Sequence, residues 1–171
     1  MAGGFGSKLR PMSEAKVAPR PPALSRTVMT EIVLPQHANA IGTAFGGSVL
    51  SWIDICGAIA ARRHCGHVAV TAALDEMQFL APIRVGDVVV LNARVNAAFR
   101  TSMEVEVRVE REDRDGTRTL CADAIVTFVN RDDEGRPIAV PPLRCDDEED
   151  RARQSAAAAR RAARIARSAP G

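Results

Sequence analysis

The sequence predicts an α+β domain in which one long apolar helix lies against a curved antiparallel sheet of about five strands. Three observations predict it. Residues 45–63 read FGGSVLSWIDICGAIAARR, a glycine pair followed by apolar side chains on nearly every side of a helix. Residues 103–110 alternate, with Met103, Val105, Val107 and Val109 interleaved by Glu104, Glu106, Arg108 and Glu110. That is the period-two pattern of a strand with one face buried and one in water. Further extended segments follow the helix, joined by short turns, and strands run together after a single helix make α+β rather than α/β order.

Each element can be justified in turn. Residues 1–24 are rich in Gly, Pro, Ser, Lys and Arg without periodicity, and Pro19, Pro21 and Pro22 exclude a helix or a central strand. They are expected to be a disordered arm. Residues 26–34, rich in Val, Ile and Thr, predict a strand ended by Pro35. A loop, residues 36–44, leads into the helix. There Val49, Leu50, Ile53, Cys56 and Ala60 share one face, and Trp52, Ile55, Ala58 and Ile59 fill most of the rest. A helix apolar nearly all round is expected to be buried. Gly66 is a fitting stop. Strands are predicted over 68–80, 88–98, about 103–110 and 119–130, with turns at 83–87, at Asp115-Gly116 and at 133–136. Pro141-Pro142 closes a folded domain of residues 25–142. The tail, 143–171, carries five acids from Asp146 to Asp150 and then little but Ala and Arg to Arg167. Its helix propensity is high, and acid before base suits the helix dipole. With compensating acids beside it and no aromatic residue for stacking, it predicts a solvated or frayed helix, or a disordered segment, rather than a nucleic-acid arm.

Composition excludes several classes. The net charge is only +2, and no apolar run is long enough to span a bilayer. The first residues show no apolar segment followed by a cleavage site, so no signal peptide is expected. Cys56, Cys65, Cys121 and Cys145 form no Cys-x-x-Cys pair and read as reduced thiols of a cytoplasmic protein. His64-Cys65-Gly66-His67 lacks the second half of a zinc site and reads as a helix-end turn. No metal and no organic cofactor is expected, and neither is a nucleic-acid or membrane partner.

Asp54 is the ionisable residue inside the apolar helix. Isolated buried carboxylates are costly and persist when partnered or functional. Two readings stand from the helix alone: an Asp held by backbone donors or an Arg, or a reactive group.

The pattern Pro35-x-x-x-Asn39-x-x-Gly42-x-x-Phe45-Gly46-Gly47, followed by Leu50-Ser51-Trp52-Ile53-Asp54, resembles the hotdog-fold acyl-CoA thioesterases. The bacterial short-chain acyl-CoA hydrolases and their tandem-domain animal relatives are the nearest resemblance. Residues 81–87, APIRVGD, and 100–105, RTSMEV, resemble the turn after the second strand and the opening of the fourth strand in that family. The resemblance covers residues 25–142. It implies a hotdog fold, a homodimer as the smallest working unit, and a hexamer, a trimer of dimers, as the common assembly. It also implies that Asn39 and Asp54 are the catalytic pair, meeting from different subunits, and that acyl-CoA is cleaved to a free fatty acid and coenzyme A.

The residues suit that chemistry. A desolvated carboxylate is a stronger base, so Asp54 can activate water or attack directly. Asn39 can orient the water or hold the carbonyl. Gly46 and Gly47 open a helix where free N–H groups point outward, a fit for an oxyanion or for a tight entry into the helix. For coenzyme A phosphates, Arg100, Thr101 and Ser102 are the best candidates, followed by Arg84, Arg62 and Arg63. Trp52, Phe79 and Phe99 are the bulky side chains available to shorten an acyl pocket. Two rivals remain: a hotdog module that binds acyl-CoA without cleaving it, and a hotdog hydratase or dehydratase. The second needs a catalytic His, and only His37 lies near the site.

Overall fold

The computed structural model describes residues 18–168. Five strands, β1 (Thr27–Ile32), β2 (Val68–Phe79), β3 (Val88–Ala98), β4 (Ser102–Glu112) and β5 (Arg118–Arg131), form one antiparallel sheet in the order β1-β3-β4-β5-β2. A 20-residue helix, α1 (Gly46–Cys65), packs against one face of this sheet. A second helix, α2 (Glu148–Ser168), follows the sheet in sequence.

The alternation in β4 becomes the centre of the core. Met103, Val105, Val107 and Val109 are fully buried, and α1 answers them with Val49, Trp52, Ile53, Cys56, Ala60 and Ala61. Gly57 permits this close approach: a Cβ there would stand 3.0 Å from two ring atoms of Phe128 on β5. The helix stops at Gly66, which takes the left-handed conformation (φ +79°) and returns its N–H to the Arg62 carbonyl at 2.8 Å.

Three expectations need correction. First, α1 is not buried all round. It covers the sheet with one face only, and Leu50, Ile55 and Ile59 on the other are 37%, 48% and 37% exposed. Asp54 stands on this open side and is exposed. No element among the described residues covers this second apolar face.

Second, the predicted arm is ordered where it is described; residues 1–17 lie outside the described residues. The Arg20 N–H donates to the Pro142 carbonyl at 2.9 Å, its carbonyl accepts from the Arg144 N–H at 2.9 Å, and its guanidinium donates to the His64 carbonyl at 2.8 Å. A short 3-10 turn, Pro22–Ser25, then seats the buried Ser25, whose Oγ accepts from the Val95 N–H at 2.9 Å. Prolines bar a central strand but not a turn fastened by single hydrogen bonds. The folded chain therefore runs on past Pro142.

Third, the polar face of β4 is not left to water, and the tail is not a solvated helix. Helix α2 crosses that outer face on a stripe of Asp150, Arg153, Ala157, Arg160 and Arg164. These residues pair with Arg94 of β3, Glu106 and Glu104 of β4 and Asp75 of β2, while Ala157 is fully buried between them. Glu104 is only 2% exposed, and Arg160 reaches it through two nitrogens at 2.6 and 3.1 Å. The Asp147 carboxylate caps α2 by accepting from the Asp150 N–H at 2.7 Å.

Candidate active site

The loop before α1 is fastened by its asparagine. The Asn39 Oδ1 accepts from the N–H groups of Ile41 (3.1 Å) and Thr43 (3.2 Å), and its Nδ2 donates to the Thr43 hydroxyl at 2.8 Å. Its backbone pairs with Thr43 and Gly42 as well. Sequence spacing put Asn39 near the helix start, and the turn keeps it there, half-buried. The Phe45 carbonyl then takes the N–H groups of Ser48 (2.9 Å) and Val49 (3.2 Å). Those of Gly46 and Gly47, in the first turn, have no partner among the described hydrogen bonds. A Cβ on Gly47 would lie 2.4 Å from the Phe45 ring, so the missing side chain lets that ring fold over the helix start. Beside it runs an apolar groove of about 350 Å³ lined by Thr43, Ala44, Val49, Phe79, Leu80 and Ile83 among others. Of the three bulky side chains considered for an acyl pocket, only Phe79 borders this groove; Trp52 is in the core, and Phe99 lies beneath Arg161 of α2.

Asp54 sits two turns further along α1. Its carboxylate accepts a short hydrogen bond from the hydroxyl of Thr71 on β2. Thr71 escaped the sequence reading because one Thr in a Val- and Ala-rich strand carries no signal of its own. The pleat of β2 is also disturbed here, with register shifts between Thr71 and Ala73 and between Leu74 and Glu76. A hydroxyl donor fixes one carboxylate oxygen and leaves the other for a water or a thioester carbon. No hydrogen bond among the described residues joins Asp54 to Asn39.

The predicted coenzyme A residues are split. Arg84 is exposed beside the Asn39 loop, where its backbone bridges Thr43 and its N–H donates to Asp87 at 2.7 Å. Arg100, Thr101 and Ser102 form the turn from β3 to β4; their carbonyls accept from the N–H groups of Val140, Asn130 and Phe99. Strand β3 separates the two groups, and its 11 residues span roughly 35 Å. The turn instead lies near Thr71: Phe128 pairs with both Thr71 and Met103, one residue after Ser102. The sequence candidates thus fall into two groups in one chain: Asn39, Gly46, Gly47 and Arg84 at the helix start, and Asp54, with its donor Thr71, towards the end where Arg100, Thr101 and Ser102 turn. Arg62 and Arg63 lie at the far end of α1, where Arg63 is tied to the Arg26 carbonyl at 2.7 Å.

Other nucleophiles and bases are committed elsewhere. Burial pushes the Cys56 thiol up to about 11, which keeps it protonated against the sheet. His37 accepts from the Leu34 N–H at its Nδ1 (3.2 Å) and stands edge-on to Trp52 at 5.1 Å, a structural role.

Comparison with known proteins agrees with this architecture. The family model of the thioesterase superfamily matches residues 41–117. An uncharacterized acyl-CoA thioester hydrolase of Bacillus subtilis, YkhA, is 40% identical over 127 residues, 74% of each chain. A crystal structure of a hexameric acyl-CoA thioesterase superposes with a TM-score of 0.84 at 38% identity, covering 91% of this chain and all of that one. The acyl-CoA hydrolase of Staphylococcus aureus, solved with butyryl coenzyme A and coenzyme A, superposes with a TM-score of 0.81 at 36% identity, covering 86% of this chain and 91% of that one. Solved variants of that hydrolase replace an Asn, an Asp and a Thr, spaced fifteen and then seventeen residues apart, each by Ala. The chain belongs to the acyl-CoA thioester hydrolases of the thioesterase superfamily, enzymes of the hotdog fold.

Proposed function

We propose that this chain hydrolyses acyl-CoA to a fatty acid and coenzyme A in sites shared by two copies, with Asp54 and Asn39 assisting the attack of water. One observation carries this reading: Asp54 and the helix-start groups are halves that a single chain does not bring together. Gly47 and Asp54 are seven positions apart, roughly 10 Å along the helix axis. A thioester polarised by the Gly46 and Gly47 amides is therefore out of direct reach of the same chain's Asp54. The open face of α1, with Leu50, Ile55 and Ile59, adjoins β2, whose outer edge has no strand partner among the described residues. A second copy laid across this face can bring its own Asp54 to the first copy's Asn39. In the S. aureus hydrolase, the replaced Asn, Asp and Thr stand at the spacing of Asn39, Asp54 and Thr71 here, which supports the assignment.

In this site Thr71 aims the Asp54 carboxylate. Asp54 takes a proton from water as it attacks, or attacks the carbonyl carbon and is freed by water afterwards. The Gly46 and Gly47 amides receive the oxyanion, a contribution of about 3 kcal/mol per donor in acyl-transfer sites. The apolar groove beside Phe79 takes the acyl chain, and Arg84, Arg100, Thr101 and Ser102 meet coenzyme A from the two subunits. The working assembly is a homodimer at least, and we propose a hexamer; a cytoplasmic location fits four cysteines that are all free thiols. No metal or organic cofactor takes part in the proposal.

The test is a screen of acyl-CoA chain lengths with the released thiol measured, repeated after chelation. Hydrolysis that survives chelation is the expected result. Tight acyl-CoA binding without turnover would make the chain a binding module instead, and activity lost to chelator and restored by zinc would remove the metal-free mechanism.

A further inference from the structure

Helix α2 lies outside the segment matched by the family model, yet with Thr127 and Val129 of β5 it lines a pocket of about 580 Å³ on the outer face of the sheet, the face away from α1. Ala72 and Ala73 of β2 line one side, Thr101 and Ser102 line another, and Arg161, Arg164 and Ile165 of α2 close over it. Ala72 immediately follows Thr71, the donor to Asp54, at the point where the register of β2 shifts.

The two arginines are held differently. Arg164 is tied to the nearly buried carboxylate of Asp75 and to the Thr127 hydroxyl, which itself donates to Asp75 at 2.7 Å. Its charge is already answered. Arg161 stacks over the Phe99 ring, 4.8 Å from the centroid, and no carboxylate among the described residues pairs with it. Every other α2 arginine from Arg151 to Arg164 has an acidic partner. The hydroxyls of Thr101 and Ser102 take no hydrogen bond among the described residues. A guanidinium held over an aromatic ring, with two free hydroxyls on the same cavity, is a receptor for a phosphate group.

We infer that Arg161 is a coenzyme A-binding residue: with Thr101 and Ser102 it anchors a phosphate of the nucleotide end while the thioester lies at Asp54. This rests on the proposed hydrolase reading and extends it, because it makes the Ala/Arg helix part of the binding surface.

The test uses the full chain and Arg161→Ala, with two thioesters of one acyl group, acyl-CoA and acyl-pantetheine, the second lacking the nucleotide phosphates. For Arg161→Ala, KM for acyl-CoA should rise roughly tenfold with kcat little changed, as for the loss of a charged hydrogen bond. KM for acyl-pantetheine should not move, and Arg161→Lys should recover part of the loss. An unchanged KM for acyl-CoA, or a parallel rise for both substrates, would overturn the assignment; the parallel rise would mean that α2 only shapes the cavity. Calorimetric titration with coenzyme A itself separates this from the hydrolase reading. If the native chain cleaves neither thioester but Arg161→Ala still weakens coenzyme A binding about tenfold, the anchor stands and the hydrolysis falls. Equal coenzyme A affinity in both proteins removes the anchor, whatever the turnover.

Discussion

The two helices meet the sheet in opposite ways. Helix α1 is apolar on both sides and has one side covered; Leu50, Ile55 and Ile59 stay open around Asp54. Helix α2 is Ala and Arg, and its docking side is closed by ion pairs to Arg94, Glu106, Glu104 and Asp75. The helix that looks like core is half surface, and the helix that looks like surface is partly core. Apolar residues in excess of what one chain can cover point to a partner. Charged residues on two elements of one chain can cover each other when their signs and spacing match. What each helix does to the protein can be separated by breaking one surface at a time.

The largest effect is expected from the open face of α1. Ile55→Asp places a charge where we propose a second copy packs, at a cost of several kcal/mol if it is buried unpaired. The variant should run as a monomer in light scattering and lose nearly all turnover, since neither half-site works alone. A monomeric variant with native kcat would show that one chain holds a whole site.

Asp54→Asn tests the same face without disturbing the assembly. It keeps the size and removes the charge, so kcat should fall by roughly 10²-fold or more with little change in KM. Because the residue is exposed in the single chain, Tm and mass should hold. A stable assembly with near-normal kcat would strip Asp54 of its role. Thr71→Val should give a smaller fall in kcat with KM little changed, because the carboxylate loses the donor that fixes it.

On the closed helix the effect moves to stability. Arg160→Ala leaves Glu104 buried without its guanidinium, which should cost about 3 kcal/mol or somewhat more in chemical denaturation. Changing both, Arg160→Met with Glu104→Met, should recover most of it, because an apolar pair needs no mutual neutralisation. If Arg160→Ala is neutral, α2 rests on the sheet without holding it.

The smallest effect is a pH dependence beneath the end of α1. His64 is fully buried, with Nε2 against the Pro141 carbonyl at 2.9 Å and no partner for Nδ1. Burial lowers its pKa from 6.5, opposed by the Pro141 bond and aided by Arg20. The unfolded chain therefore takes up a proton that the folded chain refuses. Stability contributed here is present above pH 6.5 and falls as the pH drops below it, levelling off under the folded pKa. Denaturation midpoints of the native chain between pH 8 and 5 should show this fall, and His64→Gln should flatten it. An equal slope in both would assign the acid sensitivity to other groups.

How much was legible in the sequence differs by surface. The alternation of β4, the apolar run of α1 and the Asp115-Gly116 turn are local patterns, and each became the expected element. Asp54 and the Gly46-Gly47 entry were legible because a carboxylate in an apolar run and a glycine pair before a helix break the local pattern. Thr71 was not, since a threonine breaks nothing in a strand. The α2 stripe of Asp150, Arg153, Ala157, Arg160 and Arg164 was present at a heptad-like spacing, but its acidic partners lie tens of residues away and each surface alone reads as solvated.

The sequence by itself determined the class of fold, the order of the main elements and the buried face of β4, and it singled out Asp54 as the candidate carboxylate. It did so because burial periodicity and rule-breaking residues are properties of neighbours along the chain. Only the tertiary structure decided which side of α1 stays open, that α2 closes the outer face over Glu104, and that Arg84 and the turn of Arg100, Thr101 and Ser102 fall at opposite ends of β3. Those are properties of what faces what across the sheet, and they depend on register and on complementary charge that no single segment contains.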